Sequence, residues 1–344
     1  MADGDRRERR AFIGSFTAAG GPGVVTAAVD AESGALTVVS GVDGVPDPSY
    51  LALAPDGDTL YAVSETAEGA VAAYRVIDDK PELLGTPVRV GAGPTHLSLF
   101  AGHVLTADYG SGSVTAVPVR PDGTLAGSSS GQLRHTGSGP HEQRQHVPHA
   151  HQIQPDPSGR WAVSVDLGTD SVRVCTLEDG RPVLHREIAL RPGSGPRHLA
   201  FHPDGGLAYV LNELAPTVTV CRWDAESGSL QPLTETSVLP GSPDGEAAYP
   251  SGIVASPDGR FVWTATRGED VLSVLAVEGE GLRLVGTVPC EGHWPRALTE
   301  AGGHLYVANE RSGDVTWFAV DPATGVPRRG GSVKVPAASC VVFD

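Results

Sequence analysis

Arginine, histidine and glutamate recur at matched positions of a repeated segment. What these residue types can do together is bind an anion beside groups that move protons. The set is His149, Arg197 with Glu213, Arg267, and Arg296 with Glu310. A guanidinium fork holds a carboxylate or phosphate through two parallel hydrogen bonds. Histidine and glutamate are the usual groups for proton transfer near neutral pH. Arginines gathered in one place repel one another, so the glutamates are expected to hold the set before a ligand arrives.

Each residue has a plainer role to set against this one. Arg197–Glu213 and Arg296–Glu310 suit ion pairs within one repeat, and structural ion pairs also gather in clefts. Arg267 has no evident partner in its own repeat, which favours contact with a ligand. His149 suits a backbone hydrogen bond at a loop end. His151 and His198, deeper along their strands, suit the same. Asp166 and Asn212, one position before the site residues, suit turn or interblade hydrogen bonds. His135, His141, Arg144, Gln145 and His146 fall in a polar stretch that reads as a flexible loop. Its histidine spacing matches no compact metal site, and Arg144 is its best candidate for binding.

The repeat must position these residues. Each unit runs from a proline through four to six mostly apolar residues to a Pro-Asp-Gly type turn, an aromatic and apolar strand, a polar pair and a Val-rich strand. The clearest copy is PSYLALAPDGDTLYAVSETAEGAVAAYRV from Pro48; others begin at Pro94, Pro148, Pro196, Pro250 and Pro295, at spacings of 46, 54, 48, 54 and 45 residues. Short strands repeating at this period predict an all-β, seven-bladed β-propeller. The stretch from Pro336 to Phe343 matches only a first strand, and Phe12–Thr17 aligns with the second strand Tyr61–Thr66. The N- and C-terminal strands are therefore expected to share one blade and close the ring without an open edge. Residues 1–10 read as a flexible tail and 11–344 as one propeller domain.

Strand direction brings the residue after each proline and the residue closing each polar pair to one rim of the channel. The first ring reads Ser49, Thr95, His149, Arg197, Ser251, Arg296 and Ala337; the second reads Glu65, Tyr109, Leu167, Glu213, Arg267, Glu310 and Phe16. Four consecutive blades supply His149, Arg197 with Glu213, Arg267, and Arg296 with Glu310, and the opposite side is the less charged. Two insertions, 126–147 and 239–249, each precede a repeat proline and are expected to rise on the same rim. The three Pro-Asp-Gly turns (Pro55–Gly57, Pro203–Gly205, Pro257–Gly259) are structural.

The chain has 25 Lys and Arg against 41 Asp and Glu, a net charge of −16. Such a surface repels nucleic acid and anionic membranes at long range, so an anionic ligand needs a local basic cluster. No run approaches the length of a membrane span. Four separated cysteines without a CxxC pair read as buried thiols inside strands and fit a reducing cytoplasm.

The segments RQHVPHAHQ, GPRHLAFHPDGGLAYVLNEL, SGIVASPDGRFVWTATRGED and WPRALTEAGGHLYVANERSGDV resemble the seven-bladed lactonase family. That family includes the propeller-type 6-phosphogluconolactonases of bacteria and the fungal carboxy-cis,cis-muconate lactonizing enzyme. The resemblance covers essentially the whole chain. It implies functional roles for His149 in the PH motif, Arg197 in GPRH, Glu213 in NE and Arg267 in the next repeat. Thr266 stands where the family often has Asn or Asp, and Trp294 where small or polar residues are more usual.

The resemblance implies hydrolysis of a sugar-acid lactone, with 6-phosphogluconolactone as the leading substrate. Glu213 or His149 would act as base on water, while the arginines stabilise the oxyanion. Arg144, Arg296, Glu310, Trp294 and Tyr109 would complete the binding surface. A cycloisomerase acting on an anionic carboxylate is the alternative, and a non-catalytic binding platform the third reading. No cofactor or metal is expected, because the arginine-rich rim repels divalent cations. The expected partner is a small anionic lactone or carboxylate, with no nucleic acid or membrane, on a monomer or weak homo-oligomer.

Overall fold

The Pro-Asp-Gly turns set the reversals of the inner hairpins. In each, the aspartate carboxylate accepts a backbone N–H two residues on: Asp56 from Asp58 at 3.0 Å, Asp204 from Gly206 at 2.9 Å and Asp258 from Arg260 at 3.1 Å. The glycine supplies the positive φ the turn needs, 73–79° at Gly57, Gly205 and Gly259. A computed structural model describes residues 9–77, 79–241 and 248–344. Residues 1–8 of the expected tail and 242–247 of the second insertion lie outside the described residues.

Strands form seven antiparallel sheets, most of four strands, arranged as the blades of a ring. Blade 1 holds Leu51–Leu53, Thr59–Ser64, Ala70–Ile77 and Lys80–Leu83, with Val88–Arg89 added to its third strand. Blade 2 holds Pro94–Phe100, His103–Asp108, Ser113–Pro118 and Gly131–Arg134. Blade 3 holds Ala150–Pro155, Ala162–Asp166, Ser171–Glu178 and Arg181–Ala189. Blade 4 holds Pro196–Phe201, Leu207–Asn212, Thr217–Asp224 and Ser229–Ser237. Blade 5 holds Tyr249–Ala255, Phe261–Arg267, Val271–Glu278 and Gly281–Pro289, and blade 6 holds Pro295–Ala301, His304–Asn309, Asp314–Val320 and Pro327–Lys334. Blade 7 orders Ala338–Phe343, Arg10–Ser15, Val24–Val29 and Leu36–Val42, so its inner strand comes from the far end of the chain. Ala11 pairs with Phe343, and the Arg10 guanidinium meets the Asp344 carboxylate at 2.8 Å. Arg10 thus belongs to the first strand and not to the tail.

The Val- and Ala-rich second strands are buried, save for His103 and His304 at the start of two of them, because each blade packs face to face against two neighbours. Outer strands such as Arg181–Ala189 are mostly exposed, which accounts for their polar composition. The first insertion divides differently from the expectation. Gly131–Arg134 is the outer strand of blade 2, with Arg134 beside Ser113, so only the stretch from residue 135 onward returns to the site end. Cys175, Cys221 and Cys340 are buried thiols within strands, whereas Cys290 is buried in the loop after Pro289. No helix among the described residues is long and apolar enough to cross a membrane.

Candidate active site at the channel rim

Inner strands of all seven blades line a central channel with a cavity of about 630 Å³. The site lies at one end of it, where loops lead into the inner strands. A β-bulge at the head of the inner strand shifts the pairing past a single residue: Thr95 in blade 2, His151 in blade 3, Arg197 in blade 4, Ser251 in blade 5 and Arg296 in blade 6. Bulges re-aim a side chain next to functional sites. This register corrects one equivalence drawn from the sequence. Ala150 occupies the place of Pro196, so His151 corresponds to Arg197. His149 instead matches Gly195, as the bonds from Leu167 N–H to His149 C=O and from Glu213 N–H to Gly195 C=O show.

Glu213 is the hub of the cluster. Its carboxylate accepts from Arg144 Nη2 at 2.8 Å and from Arg267 Nη2 at 2.7 Å, and Arg197 Nε lies 3.0 Å from it. Arg197 also donates to the Ser251 carbonyl. Arg267 therefore has a carboxylate partner after all, in the neighbouring blade. Burial alone would raise the Glu213 carboxyl, but Arg267, Arg197 and Arg144 hold it down at about 2. Burial, then Arg267, push the Arg197 guanidinium down from its ordinary value while Glu213 opposes them.

Tyr109 joins this cluster to His149. Arg144 Nη2 donates to the Tyr109 hydroxyl at 3.2 Å, and the His149 ring stacks on Tyr109 with centroids 4.2 Å apart. His149 Nδ1 lies 2.9 Å from the Tyr109 carbonyl. A carbonyl can only accept, so Nδ1 carries the hydrogen and Nε2 keeps a free lone pair. The backbone bond expected of His149 is thus made by one ring nitrogen and leaves the other available.

Arg296 forms a second cluster across the rim, 3.4 Å from Glu310 and 3.2 Å from Glu65, with Phe16 beneath its guanidinium. Ser49 Oγ donates to Glu65 at 2.5 Å. Glu65 and Ser49 are the residues the sequence reading leaves aside. The signal was present, since Glu65 closes the polar pair of the clearest repeat. The two clusters make the rim asymmetric: three guanidiniums share one carboxylate on one side, and one guanidinium faces two carboxylates on the other.

Arg144 reaches the site because its loop is pinned from within, which corrects the flexible-loop reading. His135 Nδ1 donates to Asp166 at 2.6 Å, and both side chains are buried. Gln145 donates to the Leu167 carbonyl at 2.8 Å and to Asp170 at 2.7 Å. The His141 and His146 residues stay exposed, and the backbone N–H of His141 donates to Gln145 Oε1 at 3.0 Å. Asp166 also takes Arg173 at 3.1 Å and the His149 N–H at 2.9 Å, and Asn212 bonds Thr217 and Thr219 in its own blade.

Below the rim, His198 packs edge to face with His96, His151 and Tyr50, and the His96 ring lies tilted on Tyr50 with centroids 4.0 Å apart. His151 and His198 are not backbone-bonded as expected: His151 Nδ1 is buried without a partner, and His198 Nε2 faces Arg197 Nη1 at 3.3 Å. Burial first, then the charge of Arg197, keep all three rings neutral, with His96 lowered to about 3. Among the described residues, no group of three His, Cys, Asp or Glu side chains is arranged to hold a metal ion.

A family model described as a seven-bladed β-propeller lactonase matches residues 10–343. A 6-phosphogluconolactonase of Bacillus subtilis is 34% identical over 96% of this chain and 97% of its own length. One from Formosa agariphila is 29% identical over 91% and 93%. Among solved structures, the periplasmic gluconolactonase of Pseudomonas aeruginosa superposes with a TM-score of 0.88 at 30% identity, covering 97% of this chain and 98% of that one. A Lactobacillus plantarum protein reaches 0.91 at 28%, covering 98% and 99%.

Proposed function

The chain belongs to the seven-bladed β-propeller lactonase family, and from that premise we propose that it hydrolyses a sugar-acid lactone, with 6-phosphogluconolactone as the leading substrate. The observation that carries the reading is His149, whose Nδ1 is committed to the Tyr109 carbonyl and whose ring stacks on the Tyr109 that also takes Arg144 of the Glu213 cluster. In this mechanism His149 Nε2 takes a proton from water as the oxygen attacks the lactone carbonyl. The carbonyl oxygen becomes an oxyanion held by guanidinium N–H groups. As the ester C–O bond breaks, the imidazolium returns the proton to the leaving ring oxygen, and a hydroxy acid is released.

Glu213 takes no proton in this scheme. A carboxyl held at about 2 is too weak a base near neutrality, and its lone pairs are engaged by three arginines. Its role is to keep those arginines together. The lactone-forming alternative gains no support from relatives whose descriptions name lactonases. Four unpaired, buried cysteines suit a reducing compartment.

The test is the rate of 6-phosphogluconolactone opening over the spontaneous rate, with and without a chelator, for the wild type and for His149→Gln. A rate well above background that is insensitive to chelator and lost in His149→Gln is expected. Wild-type protein that leaves the spontaneous rate unchanged overturns the reading.

A further inference from the structure

At the rim, the residue whose carbonyl accepts the N–H of the residue closing the polar pair adopts a left-handed backbone in five blades: Asp47, Gly93, Gly195, Trp294 and Ala337 have φ of 48°, 56°, 60°, 65° and 52°. Four of these are small, or suited to the conformation; an indole there is strained. Trp294 holds the position because its N–H donates to Asp270 at 2.9 Å and its carbonyl accepts from Glu310 N–H at 3.1 Å. The ring it presents carries two cations. The Arg267 guanidinium carbon lies 5.6 Å from the indole centroid and that of Arg311 only 3.4 Å.

These two arginines differ in one respect. Arg144, Arg197 and Arg267 share Glu213, and Arg296 faces Glu65 and Glu310. Arg311 is exposed and, among the described residues, stands in no ion pair. It follows Glu310 directly, and its backbone N–H bonds the carbonyl of His293, so it is tethered beside the rim. A planar guanidinium stacked on an aromatic face keeps its N–H edge free for an anion.

We propose that Arg311, held on Trp294, is an outer subsite for the phosphate of a phosphorylated lactone. This rests on the lactonase reading above. The chemistry of the substrate narrows the ligand. In the lactone of an aldonic acid the acid carbon is tied up as an ester and carries no charge, so a phosphoester is the anion left for a cation outside the reacting centre to meet. A phosphomonoester is close to a dianion at neutral pH and offers the oxygens that a guanidinium edge matches. The subsite therefore separates phosphorylated from unphosphorylated sugar lactones, while the arginines around Glu213 serve the reacting carbonyl common to both.

Kinetics on 6-phosphogluconolactone and on gluconolactone test this with Arg311→Gln and Trp294→Gly, the latter supplying the residue that blades 2 and 4 carry at this position. The preference for the phosphorylated substrate, taken as the ratio of kcat/KM values, falls about tenfold in each variant, mainly through KM. Thermal unfolding of both variants shows that the fold survives. An unchanged ratio overturns the proposal, as does an equal loss on both lactones. If wild-type protein opens neither lactone, the lactonase reading fails by itself, and calorimetric binding of 6-phosphogluconate decides the subsite: binding lost in Arg311→Gln upholds it, and binding absent or indifferent to Arg311 overturns it.

Discussion

A carboxylate surrounded by three guanidiniums is a fixed anion. Glu213 has its folded value at about 2 against an ordinary 4.5, so its contribution to stability is complete above the ordinary value and is lost as pH falls towards 2. Glu213→Gln leaves Arg144, Arg197 and Arg267 crowded without a counter-charge. The expected cost is about 3 kcal/mol of stability, the range for breaking a buried ion pair, together with a raised KM. Thermal melts beside steady-state kinetics read both quantities. His149→Gln separates from it cleanly: kcat falls about 10²–10⁴-fold while the melting temperature holds. Loss of kcat in Glu213→Gln at an unchanged melting temperature would return the base to Glu213.

Elements bring these residues together through bulges and a clasped loop. The loop that delivers Arg144 is held by Gln145, which is fully buried and donates to both Leu167 and Asp170. Gln145→Ala removes the side-chain donor to the Leu167 carbonyl and to Asp170 and the acceptor of the His141 N–H, at a cost of about 1–3 kcal/mol. The expected result is faster proteolytic nicking between residues 135 and 149 and a KM raised severalfold. Limited proteolysis and kinetics on the same preparation check it. The strand pattern, the turns and the rim were legible in the repeat itself, because each follows from residues near one another in sequence. The ion pairs within one repeat, Arg197–Glu213 and Arg296–Glu310, were legible as well, but those between blades were not. Arg267 meets a partner 54 residues away, and Arg296 one 231 residues away, across the closure of the ring. The offset of His149 was hidden too, since Pro148 precedes the inner strand of blade 3 by two residues while Pro94, Pro196 and Pro295 open theirs. Arg311 carried no repeat signature, and only its stacking on Trp294 marks it.

For the whole molecule, the layer of His96, His151 and His198 makes the channel sensitive to acid. His96 has a folded value of about 3 against 6.5 when unfolded, so only the unfolded chain takes up its proton between those values. Stability is therefore full above 6.5 and falls with pH, by about 3 kcal/mol from His96 alone at pH 4. A His96→Phe variant flattens the decline in melting temperature between pH 7 and pH 4, measured by calorimetry. A decline as steep as that of the wild type would show that the layer is not its source.

Blade 7 also sets how the molecule yields to a pulling force. Ala11 lies opposite Phe343 at one end of an antiparallel ladder whose rungs run on through Gly14 and Cys340. Handles fixed near Arg10 and Phe343 load these rungs one after another, like the teeth of a zip, so the ring opens at low force with blade 7 parting first. Handles at Ser15 and Phe343, at opposite ends of the same ladder, load all the rungs at once in shear and demand a higher force. The clasp that closes the propeller against heat is its weakest seam under tension along that one axis.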